Sequence, residues 1–252
     1  DIGVTGVQTC ALPILFSFVV VGILTPIMRN IALMNNVIDK PDSLHKTHKE
    51  AVPYLGGVAI ALGIAIVSFL TLYLFKFPQS DVNRAFLFFI PAILLGFVGL
   101  IDDIKRLNPL PRFIAQSFAA LTTAIALFIS NAIGNITGLR MIDLFISIFW
   151  IVGICNAVNF FDNVDGGAAG TIAITSIGVI LISVNSKQYF NALLSTVTLG
   201  AMLGFLIWNK SPARIYMGDA GALFLGFLIS VLVLTLRSEE HTSELQSRQY
   251  LV

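Results

Sequence analysis

A regular succession of long apolar runs constrains this chain more than any other feature. Runs that span, or nearly span, a bilayer occupy about residues 15–34, 54–75, 85–101, 113–130, 142–160, 169–185, 189–208 and 220–236. A backbone in hydrocarbon must satisfy its own hydrogen bonds, so these runs are read as helices. Composition agrees: 56% of the residues are hydrophobic and 12% charged, with a mean hydropathy of +0.88. Soluble domains carry about 25% charged residues, and a chain this apolar lacks the polar surface to cover a globule in water. The expected fold is therefore all-α, a polytopic transmembrane bundle of about eight helices in one domain without repeats or low-complexity linkers. A net charge of +1 gives no basic field for nucleic acid. Cys10 and Cys155 are too few for a disulfide framework, and Cys155 sits inside an apolar run as a small core residue.

The ends differ from the middle. One nucleotide string encodes RSEEHTSELQS (237–247) in one orientation and TGVQTCALPI (5–14) in the other. Both segments resemble a sequencing-library adapter translated from opposite strands. Residues 1–14 and 237–252 are accordingly expected to be non-native terminal sequence, with 15–236 an internal piece of a longer protein.

Loop charges sort by side. The loops after helices one, three, five and seven hold Lys40, Lys46, Lys49, Lys105, Arg106, Arg112, Lys210 and Arg214. The other set holds Lys76, Arg84, Arg140 and Lys187, so the positive-inside rule puts the first set in the cytoplasm. Asp39, Asp42, Glu50, Asp102, Asp103, Asp162, Asp165 and Asp219 all fall in that first set, whereas Asp81 and Asp143 belong to the other. Acidic residues contribute little to topology, so this sidedness points to a site on one membrane face.

Four polar clusters lie on that face. In NAVNFFDNVDGGAAG (156–170), Asn156, Asn159, Asp162 and Asp165 recur every three residues and share one helix face. Such a stripe can meet a sugar, a nucleobase or a metal-bound water, and a plain helix C-cap explains the glycines but not the stripe. Asp102 and Asp103 end the third run in GLIDDIKRLNP, where adjacent carboxylates call for a cation or a shared proton, or else for a solvated end balanced by Lys105 and Arg106. Asp219 in ARIYMGDAG is either an oxygen ligand for Mg²⁺ or Mn²⁺ or an N-cap of the last helix. In DKPDSLHKTHKEAVPYLGG (39–57), His45, Lys46 and His48 suit a phosphate better than zinc, for want of further ligands.

Taken in order, DKP…HKTH…VPYLGG, GLIDD, NAVNFFDNVDGGAAG and IYMGDAGALFLGF resemble the polyprenyl-phosphate N-acetylhexosamine-1-phosphate transferases, the MraY/WecA-like glycosyltransferase family 4. The first cluster is closest to the WecA/TagO-like branch. Asn163, Gly167, His45, Ala220 and Ala222 depart from the residues common in that family, and its members continue past helix eight into a His-containing loop. The resemblance implies transfer of an N-acetylhexosamine 1-phosphate, for example from UDP-N-acetylglucosamine, to undecaprenyl or another polyprenyl phosphate, with release of UMP. That reaction starts a lipid-linked cell-envelope glycan on the cytoplasmic face of a bacterial inner membrane. It also implies Mg²⁺, with Mn²⁺ as an alternative, on Asp219, Asp102 and Asp103, the last two also being catalytic. Asn156, Asn159, Asp162, Asp165 and Tyr216 would meet the nucleotide sugar, and His45, Lys46 and His48 phosphate or sugar. The expected partners are the UDP-sugar, the lipid phosphate and the membrane, and a homodimer is compatible with them. An ion- or proton-coupled transporter is the competing class, and it requires acids near helix midpoints and broken helices. An inactive fragment of the transferase is the other alternative.

Overall fold

The computed structural model describes residues 6–39, 52–132 and 137–236. It contains helices α1 (Gly6–Met34), α2 (Gly56–Leu74), α3 (Gln79–Lys105), α4 (Pro109–Ile129), α5 (Arg140–Phe161), α6 (Gly167–Asn185), α7 (Tyr189–Asn209) and α8 (Gly218–Leu234). Strands β1 (Ile38–Asp39) and β2 (Val52–Pro53) form one short antiparallel pair, with Ile38 opposite Pro53. Among the described residues, seven helices are long and apolar enough to cross a membrane, and α8 is shorter. The all-α bundle expected from the apolar runs is therefore the observed fold. The helices α3 and α5 extend beyond their apolar runs because their ends carry the polar turns around Asp81, Asp102 and Asp143.

Burial is inverted relative to a water-soluble bundle. Phe149, Ile174 and Phe160 are about three-quarters exposed on apolar outer faces. A helix that is apolar all round suits a lipid surround. Inside, α8 is enclosed by α2, α3 and α5, while α7 packs against α1, α2 and α6. Phe88, Phe89, Phe205, Phe224 and Phe227 fill the centre.

Lipid tails are as apolar as leucine, so membrane helices associate through close backbone approach at small residues. Two such approaches fix α8. A methyl at Gly57 of α2 would overlap the backbone of Gly221, and a methyl at Gly99 of α3 would overlap the carbonyl of Asp219. Cys155 is fully buried beside Gly226, as expected of a small core residue. These contacts bring the end of α3, the start of α4, the end of α5 and the start of α8 to one end of the bundle.

Candidate active site

The acidic stripe of α5 stitches that end together, one residue to one partner. Asn156 Nδ2 donates to Gln116 Oε1 of α4 at 2.8 Å. One turn on, Asn159 Nδ2 donates to Asp219 Oδ1 at the start of α8. Asp162 Oδ2 accepts the Gly218 N–H at 3.0 Å, and Asp165 Oδ2 accepts the Ala213 N–H at 3.1 Å. The three-residue spacing thus follows the surface of α4, α8 and the 210–217 segment in turn.

Asp102 and Asp103 diverge, which relieves their mutual repulsion. Asp102 is buried, accepts the Leu107 N–H at 2.6 Å through Oδ1 and pairs with Arg112 Nη1 at 2.9 Å through Oδ2. Its counter-ion is therefore Arg112, and Lys105 and Arg106, the neighbours in sequence, do not fill that place. Asp103 turns to α8, where its two oxygens accept the N–H groups of Asp219 at 2.9 Å and Ala220 at 3.1 Å. A carboxylate there satisfies orphan amides and complements the helix dipole. Gly218 permits this contact with φ +72°, and a Cβ on it would stand 2.6 Å from Asp103 Oδ2.

Asp219 does not cap its own helix. Its Oδ2 lies 2.6 Å from the same Arg112 Nη1 that holds Asp102. Two carboxylates from α3 and α8 therefore converge on one cationic nitrogen. Among the described residues, no three His, Cys, Asp or Glu side chains are disposed as a complete metal cage. The donor chemistry still fits a hard divalent cation, because the groups around Arg112 Nη1 are carboxylate oxygens, the ligands such ions prefer. Asp102 and Asp219 suit that task better than Asp103, because each turns one oxygen to the same cationic nitrogen, whereas both oxygens of Asp103 face amides of α8.

Burial pushes the Asp162 carboxyl up to about 8, opposed by the Gly218 N–H and reinforced by the nearby carboxylates of Asp103, Asp219 and Asp165. A neutral Asp162 at the end of α5 lowers the charge density of the cluster.

The motifs at 52–57 and 213–221 meet although they are far apart in the chain. Tyr216 N–H donates to the Pro53 carbonyl at 2.9 Å, and the Gly56 and Gly57 amides donate to the carbonyls of Tyr216 and Met217 at 3.0 and 2.8 Å. The rings of Tyr54 and Tyr216 lie 5.9 Å apart, tilted by 44°. His45, Lys46 and His48 lie outside the described residues. Beside the cluster, Asn108, Pro109, Leu110, Arg112, Phe113, Gln116 and Asn156 line an open groove of about 640 Å³.

Sequence reading missed Arg112, Gln116 and Asn209. Arg112 and Gln116 are one helical turn apart on α4, so they share a face that meets Asp102 and Asp219 through the first and Asn156 through the second, a spacing that was available as a signal. Asn209 ends α7, where its Oδ1 accepts the Gly166 N–H at 3.1 Å and its Nδ2 donates to the Ile215 carbonyl at 3.0 Å. It holds the α5–α6 turn against the segment that leads into α8.

Comparison with known proteins agrees with this layout. Residues 85–237, which include every carboxylate of the cluster, match the model of glycosyl transferase family 4. The chain is 31% identical to a probable undecaprenyl-phosphate N-acetylglucosaminyl 1-phosphate transferase of Bacillus subtilis, over 86% of this chain and 60% of that protein. It is 30% identical to a phospho-N-acetylmuramoyl-pentapeptide-transferase of Streptococcus uberis, over 76% of this chain and 61% of the relative. A protein of the same description from Geobacillus sp. is 31% identical over 92% of this chain and 76% of its own length. The chain thus spans about three-fifths of the length of the first two relatives. With the family's segment running from α3 through α8 and the carboxylates gathered inside it, the chain belongs to glycosyl transferase family 4.

Proposed function

We propose that this chain is the core of a transferase that moves an N-acetylhexosamine 1-phosphate from its UDP-sugar to undecaprenyl or another polyprenyl phosphate, releasing UMP. The observation that carries the reading is the convergence of Asp102 and Asp219 on a single cationic position at one end of an apolar bundle. A soluble donor and a lipid acceptor can meet only at a membrane surface, and a cluster at helix ends is placed for such a meeting. The excess of Lys and Arg in the loops on that side supports reading it as the cytoplasmic face, and the bacterial relatives support a bacterial membrane. Transporter chemistry would instead want acids at mid-membrane in interrupted helices.

In the reaction, an oxygen of the lipid phosphate forms a bond to the β-phosphorus of the donor. The bond from that phosphorus to the bridging oxygen breaks, and UMP leaves with the electron pair. Asp102 and Asp219 would hold Mg²⁺, or Mn²⁺, which supplies charge neutralisation to the diphosphate and the leaving group. Arg112 pairs with both carboxylates and so offsets their repulsion and aims them at one position. Asp103 fixes the start of α8 through two amides, so that Asp219 is presented at a set position. Asn159 orients Asp219 through its other oxygen, and Tyr216, beside Tyr54, offers an aromatic face to uracil.

Transfer of radiolabelled sugar phosphate from UDP-N-acetylglucosamine to undecaprenyl phosphate tests the reading, on the chain and on a version extended to the relatives' length. Labelled lipid and stoichiometric UMP, both lost with EDTA, are expected. An extended, folded protein that binds neither uridine nucleotide nor lipid phosphate would overturn it.

A further inference from the structure

In the groove beside the carboxylate cluster, one buried side chain is only half satisfied. Gln116 of α4 is 1% exposed and lines the groove, and its Oε1 accepts Asn156 Nδ2 at 2.8 Å. Its Nε2 finds no acceptor among the described residues. That nitrogen is not sealed inside the bundle, as the hydroxyl of Thr123 on the same helix is. A buried amide with both N–H groups unused at a groove wall calls for an acceptor from outside the chain.

The two amides can stand only one way round. Asn156 Nδ2 also donates to the Val152 carbonyl at 2.8 Å, and turning Asn156 over would set oxygen against oxygen there. Both of its N–H groups are thus used, while Asn156 Oδ1, on an exposed side chain that lines the groove, accepts nothing among the described residues. The groove therefore presents one donor, Gln116 Nε2, and one acceptor, Asn156 Oδ1, on neighbouring side chains. A phosphate offers oxygens alone and does not match that pair. A secondary amide does, because its carbonyl accepts and its N–H donates. Phe113 and Leu110, 53% and 64% exposed, give the same groove apolar walls for a methyl group.

We propose that Gln116 and Asn156 determine donor specificity by binding the 2-acetamido group of the sugar, a role that rests on the transferase function proposed above. The acetamido carbonyl accepts from Gln116 Nε2, its N–H donates to Asn156 Oδ1, and its methyl lies against Phe113. Placement supports this. Gln116 is one turn of α4, about 5.4 Å, from Arg112, whose Nη1 marks the cation position. A sugar phosphate held at that position puts its acetamido nitrogen, four bonds from the phosphorus, at a comparable reach. A hexose with a hydroxyl in that place leaves one of the two amide groups without its partner.

Calorimetric titration with UDP, UDP-N-acetylglucosamine and UDP-glucose tests this, on the protein extended to the relatives' length as in the transfer assay. The parent should bind UDP-N-acetylglucosamine about tenfold tighter than UDP-glucose, the size of one hydrogen bond. Gln116→Met should keep the affinity for UDP and bring that ratio to about one. Gln116→Glu keeps an oxygen for Asn156 but has no donor, so it should do the same, and it takes over where the methionine variant does not fold. If Gln116 served only to tie α4 to α5, its variants would melt lower with the ratio intact, and the proposal would fall. Equal binding of the two sugar nucleotides by a parent that binds UDP would overturn this subsite alone. A parent that binds none of the three compounds would overturn the transferase function and the subsite with it.

Discussion

Asp102 of α3 and Asp219 of α8 share one nitrogen of Arg112, with Oδ2 distances of 2.9 and 2.6 Å. The pair is an ion-pair triad drawn from three helices, so it couples the positions of α3, α4 and α8. It also marks where a cation between these two carboxylates would be stable.

Arg112→Gln should therefore destabilise the protein while strengthening its response to divalent cations. Removing the guanidinium leaves two facing carboxylates, a loss of about 1–3 kcal/mol, less than for a fully buried pair because Arg112 keeps 23% of its side-chain surface exposed. Thermal unfolding in detergent is the measurement, with and without millimolar Mg²⁺. The variant should melt lower than the parent without the cation and gain more from it. An equal gain in both proteins would show that the two carboxylates do not define a cation position.

Gly218→Ala should separate Asp103 from the start of α8. A side chain at φ +72° is strained, and its Cβ would press on the Asp103 carboxylate. Together these effects should cost about 1–3 kcal/mol. Melting temperature and transfer rate should fall together, because Asp219 loses its set position. Gly178→Ala, inside α6 where an added Cβ meets nothing within 4 Å, is the control and should leave the transfer rate unchanged and the melting temperature no lower.

Asp162 gives the stability a defined pH dependence. Its carboxyl is raised from 3.8 to about 8 in the folded protein, so between these values the folded state holds a proton that the unfolded chain releases. Stability from this group is therefore full at low pH and is lost as pH rises through about 8. Asp162→Asn should flatten the fall of melting temperature across about pH 4 to 8, since an amide does not titrate. A parallel shift of the whole curve, with its slope retained, would assign the dependence to another group.

Much of this arrangement could be read from the residues, and the rest depended on packing. The apolar runs fixed the number and order of helices because burial in lipid demands them individually. The Asn156–Asp165 stripe was legible because its period is local to one helix. Arg112 was read only as a loop charge that helps set topology. Its role depends on the α3–α4 turn that carries it back over Asp102, and on glycines that let α8 close in on α3. For the same reason Asp103 looked equivalent to its neighbour, although it faces amides of α8 and Asp102 faces a guanidinium. Asn209 gave no signal, since an asparagine at a helix end is unremarkable until its two partners are known.

Asp219→Asn separates a metal-holding role from a purely architectural one. Asparagine keeps the shape and one acceptor oxygen but removes the negative charge that a hard cation needs. An architectural Asp219 would lose one of its two contacts, because the single oxygen of asparagine can accept from Arg112 or from Asn159 but not from both sides as the carboxylate does. The cost would then show in the melting temperature. A metal-holding Asp219 acts in the transition state, where losing one such interaction costs several kcal/mol and lowers the rate by about 10² or more. UMP release in the presence of lipid phosphate, measured at matched amounts of folded protein, distinguishes the two. The expected result is a melting temperature lowered by a few degrees and a turnover lost at all Mg²⁺ concentrations. Turnover near the parent's would remove Asp219 from the cation site and leave it as the residue that ties α8 to α4.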